Sequence, residues 1–390
     1  MTIQGRSSAE HGGRVRLGMV GGGQGAFIGA VHRIASRLDD RYRLLAGALS
    51  SDPERALASA QELGLDEGRS YTDYRAMARR ERRLKDGIEV VSIVTPNHLH
   101  FPVAKAFLKA GIHVICDKPL VHSSREARQL QELAETRDLL FAVTYNYSGY
   151  PMVRQAREMV MGGELGEIRV VQVEYPQDWL TEKLEDSGQK QAAWRTDPAR
   201  SGAGGCVGDI GTHAYHLATF ITGLELESLC ADLSHFVSGR RLDDNVQILL
   251  RFKGGARGML WASQVAPGNE NALRIRVFGS KGGLSWSQED PNYLYHTPFA
   301  QPPRRITRGG SGSSALAGRV TRIPPGHPEG YLEGFANLYS EVADAIVARR
   351  EGRAPGAEVM FPTVEDGCRG VAFIEAAVRS SERGARWVKM

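Results

Sequence analysis

Three short stretches of this chain gather residue types that can move protons at a hydroxyl group. Thr95-Pro96-Asn97-His98-Leu99-His100 and Asp117-Lys118-Pro119 lie in the first half, and Gly208-Asp209-Ile210-Gly211-Thr212-His213 lies in the second. An imidazole such as that of His213, with an ordinary pKa near ~6.5, accepts a proton at neutral pH. An ammonium such as that of Lys118 can bond a hydroxyl and stabilise developing alkoxide charge. Asp209 stands four residues before His213, so on a helix the two side chains face one way, and the carboxylate can bind a hydroxyl or orient the ring. Each residue also has a plainer reading. Asp209 suits a helix N-terminus by its charge, His213 can be a satisfied interior histidine, and Lys118 before Pro119 can be a solvated strand end. Asp209, His213 and His216 on one helix face could also ligate a metal. Spacing alone leaves these alternatives open.

The elements that must position these residues fall into two rhythms. Apolar runs at 15–20, 42–49, 90–94, 113–116 and 139–144 read as strands, separated by helical stretches at 26–38, 53–64, 102–109 and 124–137. Asp52 can cap the second helix and Pro53 can start it. Strands alternating with helices need crossover connections, hence a doubly wound parallel sheet, an α/β Rossmann domain over 1–145. Beyond it the strand-like runs 168–175, 229–237, 245–253, 257–264 and 273–279 follow one another with few helices, at 152–161 and 209–221. That pattern predicts an α+β domain over 146–390 with a large, mostly antiparallel open sheet. Late helices are expected at 331–350 and 363–379, with a late helix able to pack back on the first domain. The stretch 301–322, rich in Pro, Gly, Ser and Arg, reads as a long mobile loop.

The first strand runs into Gly21-Gly22-Gly23-Gln24-Gly25-Ala26, then Phe27-Ile28 and a helix. Gly21, Gly23 and Ala26 fit G-x-G-x-x-G/A, in which glycines let the backbone turn tightly and approach a pyrophosphate at a helix start. A further Gly29 follows, as if the loop carried a small insertion. The second strand ends at Ser50-Ser51, where an acidic residue usually binds the adenosine ribose. Serine does not repel a 2′-phosphate, so NADP(H) stays open, but no arginine stands beside Ser50 and the reading leans to NAD(H).

Composition excludes several other classes. The 390 residues suggest two domains, and 49 basic against 45 acidic residues give a net charge of +4, too little to argue for nucleic acid. Cys116, Cys206, Cys230 and Cys368 form no paired motif for zinc or a redox dithiol. No apolar run reaches the ~20 residues of a membrane span, and the polar stretch 1–16 lacks the apolar segment of a secretory signal. A cytoplasmic protein is expected.

Together with the glycine loop, the three stretches resemble the glucose–fructose oxidoreductase/inositol dehydrogenase (Gfo/Idh/MocA) family. Tyr71-Thr72-Asp73-Tyr74, 109–114, Trp194-Arg195 and Phe278-Gly279-Ser280-Lys281-Gly282-Gly283 extend the resemblance from about Val15 to the C-terminus. The family's usual Glu-Lys-Pro is Asp117-Lys118-Pro119 here. The resemblance implies an NAD(P)-dependent dehydrogenase that oxidises a secondary hydroxyl of a sugar, cyclitol or glycoside, without metal. It implies Lys118, His213 and Asp209 as catalytic residues. It implies a cofactor site of Gly21, Gly23, Gln24, Gly25, Ala26, Phe27, Ile28, Ser50, Ser51, Thr95, Pro96, Asn97, His100, Asp117, Lys118 and Asn146. Substrate contacts are expected from Tyr147, Gln177, Trp179, Asp209, His213 and His327. It further implies a homodimer or homotetramer, which the apolar residues on both faces of the 245–253 strand (Val246, Ile248, Leu249 and Leu250) also suggest.

Two other activities suit the same residues. One is glycoside cleavage through transient sugar oxidation and elimination, with Tyr147 as a candidate acid/base. The other is a non-catalytic dinucleotide-binding sensor, against which the intact Lys118, Asp209 and His213 speak. Arg304, Arg305, Arg308, Arg319 and Arg322 suggest either a solvated loop or recognition of an anionic sugar.

Overall fold

The protein is described by a computed structural model over residues 13–390, so the polar leader through residue 12 lies outside the described residues. Strands and helices alternate first: β1 (Val15–Gly21), α1 (Phe27–Leu38), β2 (Tyr42–Ala48), α2 (Pro53–Glu62), α3 (Tyr74–Glu81), β3 (Val90–Val94), α4 (His100–Lys109), β4 (His113–Cys116), α5 (Ser124–Thr136) and β5 (Phe141–Val143). The five strands pair in parallel in the order β2-β1-β3-β4-β5. Every residue of β3 is buried, which is why its sequence, Val-Val-Ser-Ile-Val, shows no alternation. The Asp52 carboxylate accepts the Arg55 N–H at 2.8 Å and Pro53 opens α2, as its sequence predicts. The order reverses at β1, so a ligand is expected at the carboxyl ends of β1 and β3.

The chain continues through α6 (Pro151–Met161), β6 (Ile168–Pro176), α7 (Lys190–Arg195), α8 (Pro198–Ser201), a wide π-type turn (Val207–Gly211), α9 (Thr212–Thr222), β7 (Leu226–Ser234), β8 (Asn245–Phe252), β9 (Arg257–Ser263), β10 (Arg274–Gly279), β11 (Gly282–Ser287), β12 (Tyr293–Pro298), β13 (Arg304–Thr307), α10 (Ala315–Arg319), α11 (Tyr331–Arg350), α12 (Val364–Glu382) and β14 (Val388–Lys389). These nine strands form one sheet ordered β13-β12-β11-β10-β6-β9-β8-β7-β14, antiparallel except for the β6/β9 pair. In β8 burial alternates, with Val246, Ile248 and Leu250 inside and Gln247, Leu249 and Arg251 outside.

The chain packs as two compact units. One runs through Val121, then takes Arg125–Gly149 and Tyr331–Cys368; the other holds His122–Ser124, Tyr150–Gly330 and Arg369–Met390. A cut at residue 145 differs from this partition because α11 returns to the parallel sheet. Its Phe335, Tyr339, Val342 and Ile346 share a core with Val15, Leu17, Val31 and Ile115. A change of local rhythm reports where one pattern stops but not where a distant helix packs.

The 301–322 stretch departs from the expected mobile loop. It contains β13, which pairs with β12, and α10. Arg308 within it is 1% exposed and bonds the Glu329 carboxylate at 2.8 Å, the Asn292 side chain at 2.7 Å and the Ile323 carbonyl at 2.7 Å. Arg308 is thus spent on structure, so it does not join the exposed Arg304 and Arg305 as part of an anion-binding set. Pro, Gly and Ser content describes backbone freedom and says nothing of burial.

Candidate active site

In the parallel-sheet unit the candidate residues all follow the carboxyl ends of strands. After β1, Gly21 takes φ +78°, and a Cβ there would lie 2.9 Å from the Val94 carbonyl oxygen. Gly29, on α1, packs backbone to backbone against Gly22: a Cβ on Gly29 would stand 2.3 Å from the Gly22 Cα. The close helix–strand contact expected at Ala26 is therefore made by Gly29, and the extra loop residues explain the shift. A Cβ on Gly23 would meet the Ser59 Oγ at 2.6 Å and the Leu49 oxygen at 2.8 Å, so this glycine is required by α2 and β2. Gly25, with φ +74°, faces open space. Ala26 caps α1 without a side-chain acceptor, and the first turn carries no acid. Polar N–H groups with a bare, glycine-lined approach fit a pyrophosphate. Gln24 and Phe27 are exposed and Ile28 half-buried beside this loop. Ser50 accepts the Asp52 N–H at 3.1 Å, and Ser51 is exposed.

The loops after β3 and β4 are tied together by His100, which is fully buried. Its Nδ1 stands 2.9 Å from the Pro119 oxygen and its Nε2 2.9 Å from the Thr95 oxygen. A neutral ring carries one N–H, so it donates to one of these two carbonyls, and the residue ties Thr95-Pro96 to Lys118-Pro119. Asn97 is buried at the same edge. Asp117 accepts the Thr144 hydroxyl at 2.6 Å, fixing the residue beside Lys118. Asn146 and Tyr147 lie buried in a single turn after β5, which the Asn337 side chain holds by donating to the Gly149 oxygen at 2.7 Å.

In the other unit Asp209 stands in the π-type turn before α9, so its relation to His213 is not the regular four-residue helical spacing. The turn is built on Asp243, whose buried carboxylate accepts the Gly205 and Val207 N–H groups, each at 2.7 Å. Burial pushes the Asp243 carboxyl up to about 6, against the pull of those two N–H bonds. Arg195 Nε reaches Asp209 at 3.2 Å and Gln264 Nε2 reaches it at 2.9 Å. These donors set the direction of the carboxylate. Sequence reading missed Gln264 and Asp243, and the resemblance noted Arg195 only as part of a motif. The neighbouring Gly204-Gly205 and the paired Asp243-Asp244 were the available signal.

His213 is buried, and the ring of Tyr175 stands edge-on to it with centroids 6.4 Å apart. The Tyr175 hydroxyl donates to Asn271 Oδ1 at 2.7 Å, which also accepts Gln177 Nε2 at 2.7 Å, while Trp179 Nε1 donates to Gln177 Oε1 at 3.1 Å. Gln177 and Trp179, expected to grip substrate, bond each other, and Gln177 shares Asn271 with the Tyr175 hydroxyl. The His327 side chain is exposed, and its backbone oxygen accepts from Arg308.

One unit thus offers a glycine loop at a helix start and a lysine after β4, and the other a buried histidine four residues after a carboxylate fixed by two donors. That equipment suits proton removal from a hydroxyl with hydride departure to a dinucleotide.

Comparison with known proteins agrees. Residues 15–145 match the GFO/IDH/MocA oxidoreductase family with its NAD-binding Rossmann fold, and residues 153–285 match the GFO/IDH/MocA C-terminal domain. The uncharacterized oxidoreductase YfiI of Bacillus subtilis is 37% identical over 382 residues, 96% of each chain. A solved oxidoreductase from Sinorhizobium meliloti is 58% identical, covers 96% of this chain and 99% of its own, and superposes with a TM-score of 0.88. An inositol dehydrogenase homolog from Azotobacter vinelandii, solved with NADH and myo-inositol, is 37% identical over 97% of this chain and 98% of its own, with a TM-score of 0.90. Among the described residues no helix is long and apolar enough to cross a membrane. On these matches the chain belongs to the Gfo/Idh/MocA family and is an NAD(P)-dependent oxidoreductase acting on CH–OH groups.

Proposed function

We infer that the enzyme oxidises a secondary ring hydroxyl of a sugar, cyclitol or glycoside, with NAD⁺ favoured over NADP⁺. The observation that carries this reading is Asp209, held by Arg195 and Gln264 four residues before His213. A fixed carboxylate beside a base suits a substrate with neighbouring hydroxyls, one to be bound and one to react. The likeness to a homolog solved with NADH and myo-inositol supports the same class. His213 takes the hydroxyl proton, Lys118 holds the developing alkoxide, and Asp209 accepts from the adjacent hydroxyl. Bound NAD⁺ supplies the hydride acceptor. The glycine loop and the first turn of α1 would hold its pyrophosphate, and Thr95, Pro96, Asn97 and Asn146 would hold the nicotinamide. At the adenosine ribose, Ser50 is followed by the Asp52 carboxylate, which disfavours a 2′-phosphate.

We assign a homo-oligomer to the uncovered face of the nine-stranded sheet, where Leu249, Met259, Phe278 and Tyr295 are 40–51% exposed. A second copy of this chain is the partner, and light scattering at micromolar concentration should return a dimer or tetramer.

The deciding experiment is a panel of cyclitols, sugars and aryl glycosides incubated with NAD⁺ and with NADP⁺. NADH should accumulate one for one with oxidised product. Release of chromophore from a glycoside over many turnovers per NAD⁺, with no NADH, would replace dehydrogenation by redox-neutral cleavage.

A further inference from the structure

We propose that His32 is a positioning residue for Lys118, acting through the carboxylate of Asp117. His32 lies on α1 and is 0% exposed, yet nothing in the mechanism above uses it. Its Nδ1 faces two hydroxyls, Tyr339 at 2.9 Å and Ser92 at 3.1 Å, which are themselves 2.9 Å apart. Its Nε2 has no hydrogen-bond partner among the described residues and points toward Asp117, with Oδ1 3.9 Å away.

The protonation pattern follows from these contacts. A neutral imidazole carries one N–H and one lone pair. Burial lowers the His32 pKa, opposed by Asp117 and assisted by Arg33, so the ring is neutral at neutral pH. Were the proton on Nδ1, a bare Nε2 lone pair would face a carboxylate, which is repulsive. With Nδ1 accepting from Tyr339 or Ser92, Nε2 bears the hydrogen and presents it to Asp117. At 3.9 Å this is an oriented N–H dipole and not a formed hydrogen bond. In a buried setting such a dipole still biases where the carboxylate sits.

Asp117 is therefore held from two elements. Thr144, just past β5, donates to Oδ1 at 2.6 Å, and His32 faces the same oxygen from α1. The Lys118 N–H lies 3.3 Å from that oxygen as well, so a shift of the carboxylate is felt by the next residue directly. The second hydroxyl of the cluster comes from Tyr339 on α11, whose backbone oxygen is in turn pinned by the Tyr42 hydroxyl at 2.7 Å. A helix more than 300 residues downstream in sequence thus helps set the tautomer of a ring that faces the lysine's neighbour.

The catalytic consequence rests on the assignment of Lys118 to the reacting hydroxyl, and the experiment separates the two. Nitrogen-15 NMR of histidine-labelled wild-type protein should show His32 neutral, with its proton on Nε2. A proton on Nδ1, or a cationic ring at neutral pH, would overturn the proposal. The second arm compares His32→Gln, whose amide reaches the Nε2 position, with His32→Asn, whose amide reaches only Nδ1. Lysines are reductively methylated with carbon-13, and the Lys118 signal, assigned by its loss in Lys118→Arg, is titrated. His32→Asn, lacking the N–H toward Asp117, should raise the Lys118 midpoint above the wild-type value, because no N–H dipole then offsets the carboxylate charge. His32→Gln should leave it at the wild-type value. Equal midpoints in the two variants and wild type would reject His32 as a positioning residue. Turnover of myo-inositol or an active panel substrate by Lys118→Met at the wild-type rate would instead reject the role of Lys118, with the titration result still standing.

Discussion

Gly22 and Gly29 meet backbone to backbone, with no room for a methyl group between the loop after β1 and the first turns of α1. The contact fixes how the helix start faces the loop, and so where its N–H groups point. Gly29→Ala should weaken NAD⁺ binding at least about 10-fold and cost about 1–3 kcal/mol of stability, as overpacking does. Ala26→Gly should do neither. Calorimetric titration with NAD⁺ decides it, and wild-type affinity in Gly29→Ala would mean that the packing glycine does not shape the cradle.

Lys118→Ala should lose on the order of 10²–10⁴-fold in kcat and keep its NAD⁺ affinity, because the side chain is assigned to the substrate hydroxyl and not to the pyrophosphate. Combining it with His213→Ala should cost little beyond the worse single variant if, as proposed, both act in one proton transfer. Fully multiplicative losses would show that they act in separate steps.

The parallel sheet could be read from the chain because each strand there is a short apolar run closed by a glycine or polar turn, as at Val94-Thr95 and Cys116-Asp117. Residues at strand ends were therefore located by their neighbours in sequence. Partners brought in from far away were not: Tyr339 reaches His32, and Gln264 reaches Asp209, across separations that no local pattern records. His100 shows a further limit. The resemblance placed it in the cofactor site, but only the geometry shows that its ring lies between the Thr95 and Pro119 carbonyls. The π-type turn at Asp209 was equally hidden, since it is set by Asp243 from the start of another strand.

Arg308→Met should destabilise the larger-sheet unit by about 3–5 kcal/mol, because it strands the Glu329 carboxylate, itself 1% exposed, without its principal cation. Arg305, exposed on β13, is the control, and Arg305→Met should stay within about 0.5 kcal/mol of wild type. Thermal and urea unfolding report both. A mild effect at Arg308 would restore the 301–322 stretch to the mobile loop that its composition suggests.

Acid should act on Asp243 and His113 in opposite senses. Burial raises the Asp243 carboxyl from its ordinary 3.8 to about 6, so the native state holds a proton that the unfolded chain has released. Its contribution to stability is complete below about 4 and is lost as pH rises through about 6. His113 accepts the Leu140 N–H at its Nδ1 at 3.0 Å, and burial, with Arg349 nearby, lowers it from 6.5 to about 4. Its contribution is present above about 6.5 and is lost as pH falls toward 4. In wild type the two slopes largely offset each other between these limits, and single variants should expose each. Relative to Asp243→Asn, which cannot titrate there, wild type should gain about 1 kcal/mol between pH 7 and pH 5. Relative to His113→Asn, wild type should lose about 2 kcal/mol over the same interval. Urea unfolding at the two pH values measures both differences. A gap for Asp243→Asn that stays constant would mean that its carboxylate keeps its charge in the fold, so that the two N–H bonds to Gly205 and Val207 outweigh burial.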